Sequence, residues 1–244
     1  MLTDQIQTVE LLDHAPPYSE AFLAARGLVG LNVGCAFWNL RPACVNIDLL
    51  KVETHRGQAT EYGRIAILDG RAHYLEYDVT TPIPLPDASF EWLHSEHLIE
   101  HISQEGAIRF LKEAHRLLKP GGVLRISTPD LAIYVEGYRD PARTFFNKHA
   151  RIIEQLGRMY PEAGSDAFPE VQRRPAWMVN QIFKYWGHQW IYDFEEMVYV
   201  LREAGFDEKS IERCSFRRGR APKVAEIDLV MHRDETLYVE AIRT

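Results

Sequence analysis

The chain lacks most of what would mark a secreted, membrane-bound or metal-stapled protein. It has only three cysteines, Cys35, Cys44 and Cys214, scattered along 244 residues. They are too few for a disulfide framework, and their spacing fits no zinc motif. No run approaches the roughly eighteen uninterrupted apolar residues of a membrane span, so no membrane contact is expected. Met1 to Glu10 lacks the basic start and apolar core of a secretory signal. A reducing, cytoplasmic setting is the resulting expectation.

Positive charge is scarce too. Lys and Arg number 28 against 35 Asp and Glu, a formal net charge of −7. That balance argues against nucleic acid as the partner, because phosphate binding needs a basic surface. A local cluster of Arg213, Arg217, Arg218, Arg220 and Lys223 reads as a solvated loop or as a grip on an anionic ligand. No internal repeat or low-complexity tract occurs.

What is present is an alternation of apolar runs and helical patterns, in a chain long enough for one large α/β domain. Five buried strands are predicted at Leu28–Val33, Val45–Asp48, Ala72–Tyr77, Phe90–His94 and Val123–Ser127, each ending in glycine or polar residues. Such strands separated by crossovers indicate a mostly parallel sheet covered on both faces. A helix capped by Ser103 carries Ala107, Ile108, Leu111, Ala114 and Leu118 at helical spacing and stops at Pro120-Gly121-Gly122. A second begins at Asp193, with Glu196 completing a capping box, and buries Met197, Val200, Leu201 and Ala204. Three tail segments, Ser210–Phe216, Ile227–Met231 and Thr236–Ile242, read as strands, the last two pairing as a terminal hairpin across Arg233-Asp234-Glu235. Between the fifth strand and the second helix, Tyr134–Trp190 is rich in aromatics and does not read as sheet. It is expected to be a helical insertion within a single domain spanning 1–244.

The chemistry is carried first by Leu31-Asn32-Val33-Gly34-Cys35-Ala36 and Val45-Asn46-Ile47-Asp48. A small-residue turn after the first central strand lets the backbone approach a ligand closely, and an acid at the end of the next can accept both hydroxyls of a ribose. Then follow Asp78-Val79, the run Pro82 to Trp92, Ser95-Glu96-His97-Leu98-Ile99-Glu100-His101, and Leu118-Lys119-Pro120-Gly121-Gly122 leading to Asp130. In this order the segments resemble the class I S-adenosylmethionine-dependent methyltransferases. The bacterial branch with a Leu-Asn-x-Gly-Cys-Gly first motif and a short following crossover is the most similar. The resemblance covers Gly27 to about Asp130 well, and Gly187 to Gly205 more loosely.

The resemblance implies a Rossmann-like fold, a seven-stranded, mostly parallel sheet with an antiparallel terminal hairpin, and S-adenosylmethionine as cofactor. It implies that Asn32, Gly34, Cys35 and Ala36 line the methionine and ribose end of the cofactor, and that Asp48 holds the ribose hydroxyls. Asp78 with the Val79 amide would read the adenine, and Ser95 and Glu96 would border the sulfonium. For Glu96, His97, Glu100 and His101 the simpler reading is a polar helix start whose side chains cap and bridge one another. The sequence departs from the family where the usual second glycine is Ala36 and Trp38 stands two residues on.

Methyl transfer from an activated sulfonium needs positioning and exclusion of water more than a catalytic constellation. No serine–histidine or metal group is therefore expected. Where a base is needed, His188 is the first candidate, since its ordinary pKa suits proton removal near neutrality; Tyr134, Tyr138 and His149 follow. The aromatics of the insertion suit a lid over a small, partly apolar substrate. The sequence therefore predicts methyl transfer to an O, N or C atom of a small organic molecule. Two rivals stand beside it. One is a methyltransferase-like scaffold without catalysis, suggested by Ala36 and Trp38. The other is a nicotinamide dehydrogenase, disfavoured by the missing third glycine and the Pro-Gly-Gly before the fifth strand.

Overall fold

A computed structural model describes residues 6–36, 39–159 and 174–244, with the side chains of 153–159 excepted. All five predicted central strands form, because each is apolar enough to be buried on both faces. They are β2 (Gly30–Val33), β3 (Cys44–Asp48), β5 (Ala72–Glu76), β6 (Phe90–Glu96) and β7 (Leu118–Pro129). Their pairings, β5 with β3, β3 with β2, β2 with β6 and β6 with β7, are all parallel. Chain order thus runs outward from β2 in one direction and returns past it in the other. Such a reversal opens a crevice at the carboxyl ends of the strands, where α/β sheets receive their ligands.

Four further strands complete the sheet: β1 (Val9–Leu11), β4 (Ile65–Leu68), β8 (Glu212–Cys214) and β9 (Thr236–Ile242). The full order is β1-β4-β5-β3-β2-β6-β7-β9-β8, nine strands where the resemblance implies seven and the sequence pattern eight. The two additions, β1 and β4, extend the edge beside β5 in antiparallel fashion. Both are short, so neither presents a long alternating pattern. The other antiparallel edge also differs from expectation. Ile227–Met231 is not a strand; β9 pairs instead with β7 and with β8, which keeps only Glu212–Cys214 of the predicted Ser210–Phe216.

The helices are α1 (Glu20–Ala24), α2 (Gln104–Leu117), α3 (Leu131–Arg139), α4 (Thr144–Met159), α5 (Pro175–Lys184), α6 (Phe194–Glu203) and α7 (Pro222–Ala225). Ser103 caps α2 by accepting from Gly106 N at 3.1 Å, as its position in the sequence predicts. The helix buries Ala107, Phe110, Leu111 and Ala114, with Ile108 only partly covered. Asp193 caps α6 through Glu196 N at 2.9 Å. The Glu196 carboxylate does not return the bond, however; it accepts from Gln104 and from Trp190 Nε1. α2 and α6 share one core with the central strands, whereas Tyr134, Phe146, Met178, Ile182 and Ile191 form a small separate cluster among α3, α4 and α5. The described part of the expected insertion is thus helical, starting at Leu131 rather than Tyr134.

A buried ionic group fixes the segment that replaces the expected hairpin. Arg125 on β7 is fully buried and donates to both carboxylate oxygens of Asp228, at 2.8 and 2.5 Å, and to Glu240 at 2.8 Å. Arg125 and Glu240 are register partners on β7 and β9. Burial alone would favour loss of the guanidinium proton, but the two carboxylates hold the charge in place. Removing one member of such a group leaves the others charged and unpaired. Arg125→Ala is therefore expected to lower the unfolding free energy by about 3–5 kcal/mol in urea titrations. Arg202→Ala, which breaks an exposed pair with Glu208, is expected to cost less than about 1 kcal/mol.

Candidate functional site

At the carboxyl ends of β2 and β3 the chain makes two tight commitments. Gly34 leaves β2 with φ of +74°, and a Cβ on it would lie 2.7 Å from that of Leu98. No other residue satisfies both the left-handed backbone and that close approach. Two residues on, Ala36 N donates to Asp48 Oδ2 at 2.8 Å, while Leu50 N donates to Oδ1 at 3.1 Å. The turn and the strand-end carboxylate thus meet in one place, as the motif pair predicts. Burial raises the Asp48 carboxyl above its ordinary range, and the Ala36 and Leu50 amides oppose that rise. Ala36 itself has φ of +44°. That is a conformation glycine adopts more readily, which accounts for glycine at the matching position of the motif. Trp38 lies outside the described residues.

Two predicted lining residues have structural partners of their own. Asn32 is buried, and its amide donates to Asn39 O at 2.8 Å and Asn46 Oδ1 at 2.9 Å, tying the crossover down. The Cys35 side chain packs with Val9, Val52, Ala66, Leu68 and Tyr74. Both side chains are engaged within the protein, Asn32 by the crossover and Cys35 by its apolar cluster.

Asp78 follows β5 and accepts from Thr80 N at 2.9 Å and Thr80 Oγ1 at 2.7 Å, which sets the turn at that strand end. Val79 is buried in the main core. Ser95 is buried at the end of β6, and its Oγ has no partner among the described residues. Glu96 also has a structural partner: both carboxylate oxygens accept from Leu229 N, at 3.0 and 3.1 Å. It thereby ties the loop at Leu229 to the end of β6. Sequence reasoning had no signal for this tie, since its partner is a backbone amide remote in the chain.

Beyond β6, His97 and Glu100 bridge one another as the simpler reading predicts, with Nδ1 and Oε1 3.1 Å apart. Glu100 and His101 belong to a single 3₁₀ turn, Ile99–His101. Burial alone would raise the fully buried Glu100 carboxyl, but His97 holds it below its ordinary range. His188 is partly buried, and its Nδ1 lies 2.6 Å from Ile182 O. That contact makes Nδ1 the protonated nitrogen and leaves Nε2 with a lone pair.

Of the weaker candidates, Tyr138 is exposed. Tyr134 and His149 are buried together, with Tyr134 OH 3.0 Å from His149 Nε2 and also bonded to Glu235. They join α3 and α4 to the turn before β9 and are spent structurally. The basic cluster is largely spent as well: Arg213 pairs with Asp130 at 2.5 Å, Arg220 with Glu212, and Arg217 Nε donates to Asp228 O at 3.2 Å.

The donor set suits an adenosyl sulfonium. A glycine cradle beside Leu98, a carboxylate at the end of β3, a second acid at the end of β5 and an unpartnered buried hydroxyl at the end of β6 all lie along one sheet edge. A nucleoside would need acceptors for its ribose and amine, and Asp48 and Asp78 are the acids at these strand ends.

Two outcomes follow. Gly34→Ala must strain the turn and push on Leu98, so a loss of about 1–3 kcal/mol in urea unfolding is expected. His149 gives a pH effect. Burial alone would lower its pKa, but Glu235 and Asp234, the latter 3.0 Å away, raise it above the ordinary 6.5. A folded-state value above the unfolded one stabilises fully below about pH 6.5 and is lost as pH rises through the folded value. Unfolding free energy should therefore decline on the alkaline side of about pH 6.5, and His149→Gln should flatten that decline.

Residues 30–126 match the family model of a methyltransferase domain. A probable S-adenosylmethionine-dependent methyltransferase of Mycolicibacterium smegmatis is 29% identical over 111 residues, 44% of this chain and 42% of that protein. One of Mycobacterium tuberculosis is 27% identical over 121 residues, 48% of this chain and 43% of its own. The chain thus spans less than half the length of the curated relatives it matches. Among solved structures, an S-adenosylmethionine-dependent methyltransferase from Mesorhizobium loti aligns over 92% of this chain and 98% of its own, at 20% identity and a TM-score of 0.45. The segment from Gly30 to Ile126, which holds β2, β3, β5, β6 and the turn at Gly34, is the part matched by the methyltransferase-domain model.

Proposed function

We propose that the protein is an S-adenosylmethionine-dependent methyltransferase that acts on an O, N or C atom of a small organic molecule. The observation that carries this reading is the meeting of the Gly34 turn and the Asp48 carboxylate, 2.8 Å from Ala36 N, at the point where strand order reverses. When bound, the cofactor supplies an activated methyl group. Asp48 holds the ribose hydroxyls, Asp78 and the Val79 amide read the adenine, and the backbone of Gly34 to Ala36 borders the methionine end. Asn32 and Cys35 act by fixing that backbone, and Glu96 by fixing the loop at Leu229. Ser95 offers its free hydroxyl beside the reacting end.

The acceptor is selected by the helices within 134–190, whose aromatic side chains include the exposed Tyr138, Phe183, Tyr185 and Trp186. An apolar, aromatic surface suits a small organic acceptor, and a net charge of −7 disfavours nucleic acid in that place. No helix among the described residues is long and apolar enough to cross a membrane. A cytoplasmic setting goes with this reading. His188, with Nε2 as its free nitrogen, assists removal of the acceptor's proton.

Isothermal titration with S-adenosylmethionine should show binding that Asp48→Ala weakens by about 1–3 kcal/mol, the cost of a lost strong hydrogen-bonding partner. A folded Asp48→Ala protein with unchanged affinity removes Asp48 from the site. Labelled methyl transfer into metabolite extracts, read by mass spectrometry, should fall in His188→Ala while cofactor affinity holds.

A further inference from the structure

The sequence reading expects no metal group, although His97-Leu98-Ile99-Glu100-His101 has His-x-x-Glu-His spacing. Folding nevertheless brings three together. Glu100 and His101 occupy the turn after β6, and His188 lies in the loop after α5; one ligand atom from each falls within 4.8 Å of the others. The two stretches are stitched to each other. Gln189 N and Trp190 N donate to Glu100 O at 2.7 and 3.3 Å, and Gln189 Nε2 donates to His101 O at 2.7 Å.

We propose that Glu100, His101 and His188 bind one divalent first-row transition cation of the zinc type. Their surroundings resemble the outer shell such ligands require, in which each imidazole gives its second nitrogen to a backbone or carboxylate acceptor and each carboxylate is itself hydrogen-bonded. His188 Nδ1 is committed to Ile182 O at 2.6 Å, which leaves Nε2 for the ion. The His101 ring lies edge-on to that of His188, with centroids 4.7 Å apart. Glu100 is fully buried and accepts from Thr128 Oγ1 at 3.0 Å. Two imidazoles and one carboxylate favour zinc, cobalt, nickel or iron over magnesium or calcium, which prefer oxygen alone.

Metal–ligand bonds of about 2.0–2.2 Å would draw the three atoms to roughly 3.5 Å from one another. The widest pair therefore closes by about an ångström, within reach of ring rotation in a partly exposed loop. Three protein ligands leave a position open for water or for an oxygen of the acceptor. Ion binding stands independently of the methyl-transfer reading; only acceptor ligation rests on it. In this arrangement His188 is a ligand and not a free base, so its removal lowers turnover in either case and metal binding tells the two apart.

The test uses tag-free full-length protein, stripped with chelator and titrated with cobalt chloride while visible absorption is recorded. One equivalent of Co²⁺ should bind with visible d–d bands that Zn²⁺ abolishes by competition. His188→Ala and His101→Ala should each weaken binding at least tenfold, while S-adenosylmethionine affinity, measured on the same preparations, shows that the fold is intact. Absence of stoichiometric binding, or equal Co²⁺ affinity in folded His188→Ala, overturns the proposal. Cobalt binding without any methyl transfer would leave this site standing and count against the proposed activity alone.

Discussion

The hydrogen bond from Ala36 N to Asp48 joins the turn after one central strand to the end of its neighbour, and the site is built around it. It depends on Gly34, because only a residue without a Cβ can turn there beneath Leu98. It depends also on Asn32 and Asn46, whose buried amides hold the crossover that returns the chain to β3. The acid at the strand end therefore has two tasks in one geometry. It fixes the turn through a backbone amide and presents its carboxylate at the mouth of the crevice.

A second polar framework closes the other side. Arg125, Asp228 and Glu240 are buried within the sheet and its covering loop, and His94 lies 3.4 Å from Asp228. Glu96 adds a tie to the same loop at Leu229. Buried charges of this kind add little net stability against an apolar substitute, but they specify one arrangement sharply. Here they determine how the segment between β8 and β9 lies across the ends of β6 and β7.

Much of this was legible in the sequence where chemistry and local structure coincide. The central strands, the caps at Ser103 and Asp193, and the meeting of Gly34 with Asp48 all follow from short-range pattern. The misreadings have long-range causes. Ile227–Met231 is apolar like a strand, yet Asp228 within it is drawn to Arg125, so the segment folds as turns. β1 and β4 are too short to show a pattern and form by adding to an existing edge. The tie from Leu229 N to Glu96 joins residues remote in the chain, which no local pattern announces. The approach of His188 to His101 is set by backbone bonds between remote loops, for which no spacing rule exists.

The most direct test of the account is amide hydrogen exchange with and without S-adenosylhomocysteine, which matches the cofactor without its transferable methyl. Protection concentrated in peptides covering 33–36, 48–50 and 78–80 is the predicted result. Binding that protects some other edge of the sheet and leaves those peptides unchanged would contradict it.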